Sequence, residues 1–293
     1  MLKHVFGITL ALCLFIANFP APLQATDQPE ITQQQANEQL DQAGRQRMLS
    51  QRMAAASCLA MSGVDVDNQR AITQASWEEF DNFLVAIREG DPSKGWVAAQ
   101  DTDVLAAVDR VDAIWSDARL PILQIAAGDL QLAVVKEFIA GSKPLLKRSD
   151  GLVRALSASF GEVVVDSSQV ETIDIADRQR MLTQLILQQA CLFAIGYQRD
   201  DMQVALEDSI DLFDRSLYAL SKGDEQAGIM EPPTPELRAQ LAYLMSIWDA
   251  YKSDLSQLVS DKKMNPTYMN ELAEQSDVLL EGSNEVVKMY IGL

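Results

Sequence analysis

The sequence predicts an all-α protein built as two tandem antiparallel four-helix bundles related by internal duplication. Three observations carry that expectation. A short basic phrase is written twice: Arg45-Gln46-Arg47-Met48-Leu49-Ser50-Gln51 returns as Arg178-Gln179-Arg180-Met181-Leu182-Thr183-Gln184, an offset of 178 − 45 = 133. The same offset carries Cys58 onto Cys191, Phe80-Asp81 onto Phe213-Asp214, Gly90-Asp91 onto Gly223-Asp224, and Ile114-Trp115 onto Ile247-Trp248. Apolar residues recur at helical spacing, as in Phe80-Leu84-Ile87 and Leu241-Leu244-Trp248, with almost no β-branched alternation.

The elements follow in order. Lys3 and His4 precede an apolar run from Val5 to Phe19, and small or turn-forming residues lead to Leu23-Gln24-Ala25. This pattern predicts a secretory signal, residues 1–25, cleaved near Ala25. The alternative is an uncleaved anchor, although the run is shorter than the ~20 residues of a spanning helix. Leu10-Ala11-Leu12-Cys13 is a poor lipoprotein signal, because Leu12 is bulky where a small residue is needed. A first module is expected over 26–162 and a second over 163–293. Each is long enough, at roughly 130 residues, for its own core.

Within the first module, breakers at Gly63, Gly90-Asp91-Pro92 and Gly128 divide the chain into helices near 31–62, 68–89, 100–127 and 129–160. Asp200-Asp201, Gly223-Asp224, Pro232-Pro233-Thr234-Pro235 and Asn265-Pro266 divide the second into 168–198, 201–222, 234–261 and 266–291. Val163-Val164-Val165 marks the joint between them. Starts such as Thr234-Pro235-Glu236 obey the capping preferences. Four amphipathic helices with short connections close an antiparallel bundle.

Without the leader, the chain has 23 cationic side chains against 42 acidic ones, a net charge of −19. A surface that acidic argues against nucleic acid and anionic lipid as partners. The single histidine, His4, falls in the leader, so the mature chain lacks the usual general base and metal ligand. No phosphate-binding glycine loop, nucleophile motif or di-iron Glu-x-x-His pair occurs, so neither an enzyme nor a cofactor or metal is expected. Trp115 and Trp248 occupy aligned apolar positions and read as core anchors.

The repeated phrase carries the chemistry. Leu40, Gly44, Arg47, Gln51, Ala54 and Cys58 step by four and three and share one face of a helix. The aligned face holds Ile173, Asp177, Arg180, Gln184, Leu187 and Cys191. A neighbouring stripe of Met48, Leu49, Met53, Ala56 and Leu59 is apolar and enters the core. The first seam is small and polar, which suits a close helix–helix contact. An arginine in such a seam must be answered by opposite charge. If the two helices pair in parallel, Arg47 and Arg180 meet, and a buried anion between them removes their repulsion. The planar guanidinium fork matches a planar oxyanion and keeps its proton. The competing reading pairs these arginines with the protein's own carboxylates.

The segment Ala43-Gly44-Arg45-Gln46-Arg47-Met48-Leu49-Ser50-Gln51-Arg52-Met53 resembles the signature of the PilJ/NarX-like sensor domain, the periplasmic input module of nitrate/nitrite sensor kinases and type IV pilus chemotaxis transducers. In nitrate-sensing members the arginine of the Arg-Met pair, from two chains, grips one nitrate. The resemblance therefore implies a small oxyanion ligand, nitrate or nitrite first, held by Arg47 and Arg180 with Gly44 and Arg52 in support. The duplicated chain would carry both half-sites as an intramolecular pseudo-dimer. It implies a membrane receptor or kinase as partner, with further homo-oligomers open.

The second copy departs from this pattern: Leu185 stands for Arg52, and Asp177 for Gly44. An acid beside an anion site opposes binding, so this half-site is expected to be degenerate or tuned to another ligand. In the pseudo-dimer, Cys58 and Cys191 face each other ~16 Å along the seam from the arginines. They form either one disulfide or two buried thiols. The rival function is a structural or protein-interaction module of the cell envelope with no small ligand.

Overall fold

The computed structural model describes residues 31–161 and 167–292. The expected leader and the Val163-Val164-Val165 joint lie outside them. Among the described residues there are eight α-helices: α1 (Gln33–Met61), α2 (Val66–Glu89), α3 (Thr102–Ala127), α4 (Leu132–Phe160), α5 (Ser167–Ala194), α6 (Arg199–Lys222), α7 (Pro235–Asp261) and α8 (Pro266–Ile291). The all-α duplicated architecture expected from the repeat is the one observed. Six of the eight expected helices agree within two residues at both ends, and α4 starts three residues later than expected. The largest difference is at the end of α5, expected at 198 and observed at Ala194. There Gly196, at φ 80°, turns the chain, and Tyr197 N–H donates to Leu192 O at 2.9 Å.

Helix starts are written in side chains. Thr32 and Gln35 form a reciprocal capping box at α1. Asp101, Thr234 and Asn265 accept from the first-turn amides of α3, α7 and α8. The duplication reaches into irregular backbone. Asp65 and its partner Gln198 both adopt left-handed conformations, at φ 37° and 42°. The isolated bridge Asp91–Trp96 has its copy in Asp224–Ile229.

Two cores result. One gathers Phe80, Val108, Trp115, Ile122, Phe138 and Leu152 from α2, α3 and α4 with Met48 and Met53 of α1. The other gathers Phe213, Leu241, Trp248, Tyr251 and Leu279 from α6, α7 and α8 with Ile186 and Phe193 of α5. Phe80 packs on Trp115 at 4.6 Å between ring centres, and Phe213 on Trp248 at 4.1 Å. Trp115 Nε1 donates to Asp81 at 3.0 Å and Trp248 Nε1 to Asp214 at 2.8 Å, so each buried indole has an acceptor.

The cores are not sealed from each other. Ala55, Cys58 and Leu59 of α1 belong to the core of the second helix set. Helices α1 and α5 lie side by side and parallel, and Cys58 is joined to Cys191 in a disulfide with Cα atoms 6.2 Å apart.

A candidate anion site between the paired helices

The parallel pairing fixes the site. A helical side chain leans toward its own N-terminus, so Arg47 reaches back along α5 by three and six residues from its counterpart Arg180. Arg47 Nη2 donates to Asp177 Oδ2 at 2.5 Å and to Asp174 Oδ1 at 2.7 Å, and Nη1 donates to Asp150 Oδ1 of α4 at 3.1 Å. Arg180 Nε donates to Asp177 Oδ1 at 2.7 Å, and its Nη2 also holds that oxygen. The side chains of both arginines are 2% exposed, and that of Asp177 is 5%. The two guanidiniums thus share one buried planar carboxylate, Asp177, which is the pairing with the protein's own carboxylates that the sequence left open beside an external anion.

The arrangement is reciprocal. Arg47 of α1 reaches Asp174 of α5, while Arg180 Nη1 lies 2.8 Å from Asp41 Oδ1 of α1. Asp41 and Asp174 are copies, 174 − 41 = 133 apart. Asp150 against Arg47 has Asn284 against Arg180 Nη1, at 3.4 Å, as its counterpart. Their offset is 284 − 150 = 134, so the second copy carries one extra residue before α8. Behind the arginines, Ser50 and Thr183 donate to Arg47 O and Arg180 O, each at 2.7 Å. Gln51 and Gln184 bridge to Ser142 of α4 and Ser276 of α8.

Asp177 breaks the symmetry. Its counterpart is Gly44, and a Cβ built there would fall inside van der Waals distance of the Asp177 carboxylate. Gly44 is therefore the gap that admits Asp177 between the helices. Gly44→Ala is expected to displace that carboxylate from its arginines and to destabilise by about 1–3 kcal/mol. A lowered urea midpoint at unchanged slope is the readout; an unchanged midpoint would mean the carboxylate has other room.

Burial by itself lowers the Arg47 pKa, but Asp177 and Asp174 more than reverse this and hold it above the usual arginine value. Burial likewise pushes the Asp174 carboxyl up, and Arg47 and Arg178 overcome it, leaving it below the ordinary carboxylate range. Both shifts hold the Arg47–Asp174 pair in its charged form.

The structure brings Arg47, Arg180 and Gly44 together, as the repeat suggested, but not Arg52. Five residues on from Arg47, Arg52 points to another side of α1 and pairs with Asp277 of α8 at 2.8 Å. The sequence reading missed Asp41, Asp174 and Asp150. A signal for the first two was present: Asp-x-Ala-x-Arg-Gln-Arg occurs at both 41–47 and 174–180, so the repeat begins earlier than the basic phrase. Asp150 lies on another helix and left no such trace.

The chain is thus a duplicated all-helical protein whose two copies meet at a buried charged seam. Among known families, the type IV pili methyl-accepting chemotaxis transducer N-terminal domain (PilJ) matches residues 32–139 and 166–274. These matches span well over half of the chain, which belongs to that family of chemotaxis-transducer sensor domains. No curated protein matches the chain.

Proposed function

We propose that the chain is an exported sensor that recognises a small oxyanion, nitrate or nitrite first, between Arg47 and Arg180. The observation that carries this reading is their convergence on one planar carboxylate, since nitrate and nitrite present the same planar oxygens to the same donors. In the unliganded arrangement Asp177 supplies those oxygens. A ligand takes its place, Asp177 turns outward, and the register of α1 against α5 responds. Occupancy is relayed to a membrane receptor or kinase that reads the relative placement of the helices.

Titration calorimetry with nitrate and nitrite, on the wild-type chain and on Arg47→Ala, tests this. Saturable heat that disappears in the variant is the expected result. Absence of heat in both the wild type and an Asp177→Ala chain would overturn it.

The charge balance favours a second reading. Asp41, Asp150, Asp174 and Asp177 already answer Arg47 and Arg180 and extend to Arg178 and Arg154. Such a closed cluster suits an interaction module of the envelope whose seam sets helix register and takes no small ligand.

A further inference from the structure

The fourth helices of the two copies carry opposite charge on matching faces. In α4, Lys143 and Lys147 stand where α8 has Asp277 and Glu281, since 277 − 143 and 281 − 147 both give 134. All four residues are exposed. The faces also differ in relief. On the α4 side a groove of about 510 Å³ runs toward α3 and α5, with Ile114, Pro144, Leu146 and Met181 as its apolar lining. Leu146 and Met181 are half-buried there, whereas their copies Leu280 and Met48 are 7% and 2% exposed, hence covered. The α8 side presents a ridge instead. Glu274, Val278, Glu281 and Glu285 step by four, three and four, share one side of the helix and are exposed. Val278, at its centre, is 43% exposed. Several charges on both faces are already answered. Arg47 and Arg178, which also line the groove, pair with Asp150 and Asp174, and Arg154 also holds Asp150. Lys288 holds Glu285, and Arg52 holds Asp277. Among the described residues no ion pair engages Lys143, Lys147 and Arg148 of the groove, or Glu274 and Glu281 of the ridge.

We propose that this groove docks the α8 ridge of a second copy of the chain. Val278 covers the apolar lining, while Glu274 and Glu281 meet Lys143, Lys147 and Arg148. Charge complementarity selects the occupant. At a net charge of −18, copies repel one another unless a cationic patch finds an acidic one. The α8 ridge offers unpaired acids and an exposed valine on one stripe, the complement of cations around an apolar floor. A molecule cannot fill its own groove. Helix α4 packs on α1 and α8 on α5, so the twofold relating α1 to α5 places groove and ridge on opposite sides. The contact is therefore heterologous, and its repetition joins molecules head to tail in an open row. Its ion pairs lie at the surface, so the association is weak and salt-sensitive. It needs no movement of Asp177, so it goes beyond the oxyanion reading and does not depend on it.

Sedimentation velocity over a concentration series tests it. In about 10 mM salt, where the screening length is ~30 Å, the sedimentation coefficient of the wild type should rise with concentration; in about 1 M salt, at ~3 Å, the rise should vanish. Two double variants reverse one face each: Lys143→Glu with Lys147→Glu, and Glu274→Lys with Glu281→Lys. Each alone should remain monomeric, because its two faces then carry the same sign. Mixed in equal amounts they should associate again, since one presents only acidic faces and the other only basic ones. Restored association also shows that both variants are folded. A wild type that stays monomeric in low salt up to millimolar concentration overturns the proposal. So does association that survives either reversal, which would place the contact elsewhere or give the groove to another acidic partner. A mixture that stays monomeric overturns it as well. Nitrate binding is read in a separate titration, so the two proposals fail independently.

Discussion

Asp177→Ala is expected to destabilise the protein by about 3–5 kcal/mol, the usual effect of removing one partner from a buried charge cluster. The loss arises because Arg47 and Arg180, both 2% exposed, are left facing each other across an empty spot. Asp174, Asp150 and Asp41 remain at the edges, but none lies between the guanidiniums. The second half of the expectation is that an oxyanion restores what the carboxylate gave. A ligand bound only by the folded state contributes ~2.7 kcal/mol at a hundredfold excess over its Kd. Urea midpoints of Asp177→Ala measured against nitrate, with chloride adjusted to constant ionic strength, should therefore climb steeply, while the wild type climbs less. Equal, shallow slopes for the two proteins would reduce the effect to general salt screening and remove the case for an anion spot.

Removing the Cys58–Cys191 bridge is the other large effect. The two cysteines are 133 residues apart, so the bond closes a loop longer than either helix set. Loop-entropy scaling gives a stabilisation of about 4–5 kcal/mol for closures of this length. The double variant Cys58→Ala, Cys191→Ala should accordingly lose roughly 10–15 °C in thermal midpoint. Reduction of the native protein by dithiothreitol should reproduce the loss. The bridge also clamps the far end of the seam: Cys58 follows Arg47 by eleven residues, ~16 Å along the helix. A loss of only a degree or two would show that the arginine cluster and shared cores hold α1 to α5 unaided.

The helices were legible because their signals are local. Pro235 and Pro266 start helices after capping Thr234 and Asn265, and Gly90 and Gly223 end them, all visible within a few residues. The end of α5 was misread because its breaker is the turn at Gly196, four residues before the acidic pair that marks the start of the next element. The arginine pair was legible for a different reason. Duplication leaves two copies of one helix in one chain, and copies related by a twofold place equal residues opposite each other. That logic brought Arg47, Arg180, Cys58 and Cys191 to one seam and failed for Arg52, which the same helical geometry turns toward Asp277.

What fills the space between the arginines was settled at another level. From the sequence alone, Asp177 was an unwelcome acid at a degenerate half-site, and Gly44 a position for close approach. In three dimensions the two are halves of one fit, because the missing Cβ of one helix houses the carboxylate of the other. The amino-acid sequence by itself determined the all-α class, the twofold repeat and the membership of a sensor family, since periodicity, caps and copies are properties of short stretches of chain. Only the tertiary structure decided which charges answer the arginines, because Asp150, Asp174 and Asp41 come from three different helices. A buried ion pair depends on distances of a few ångströms that no spacing along the chain encodes.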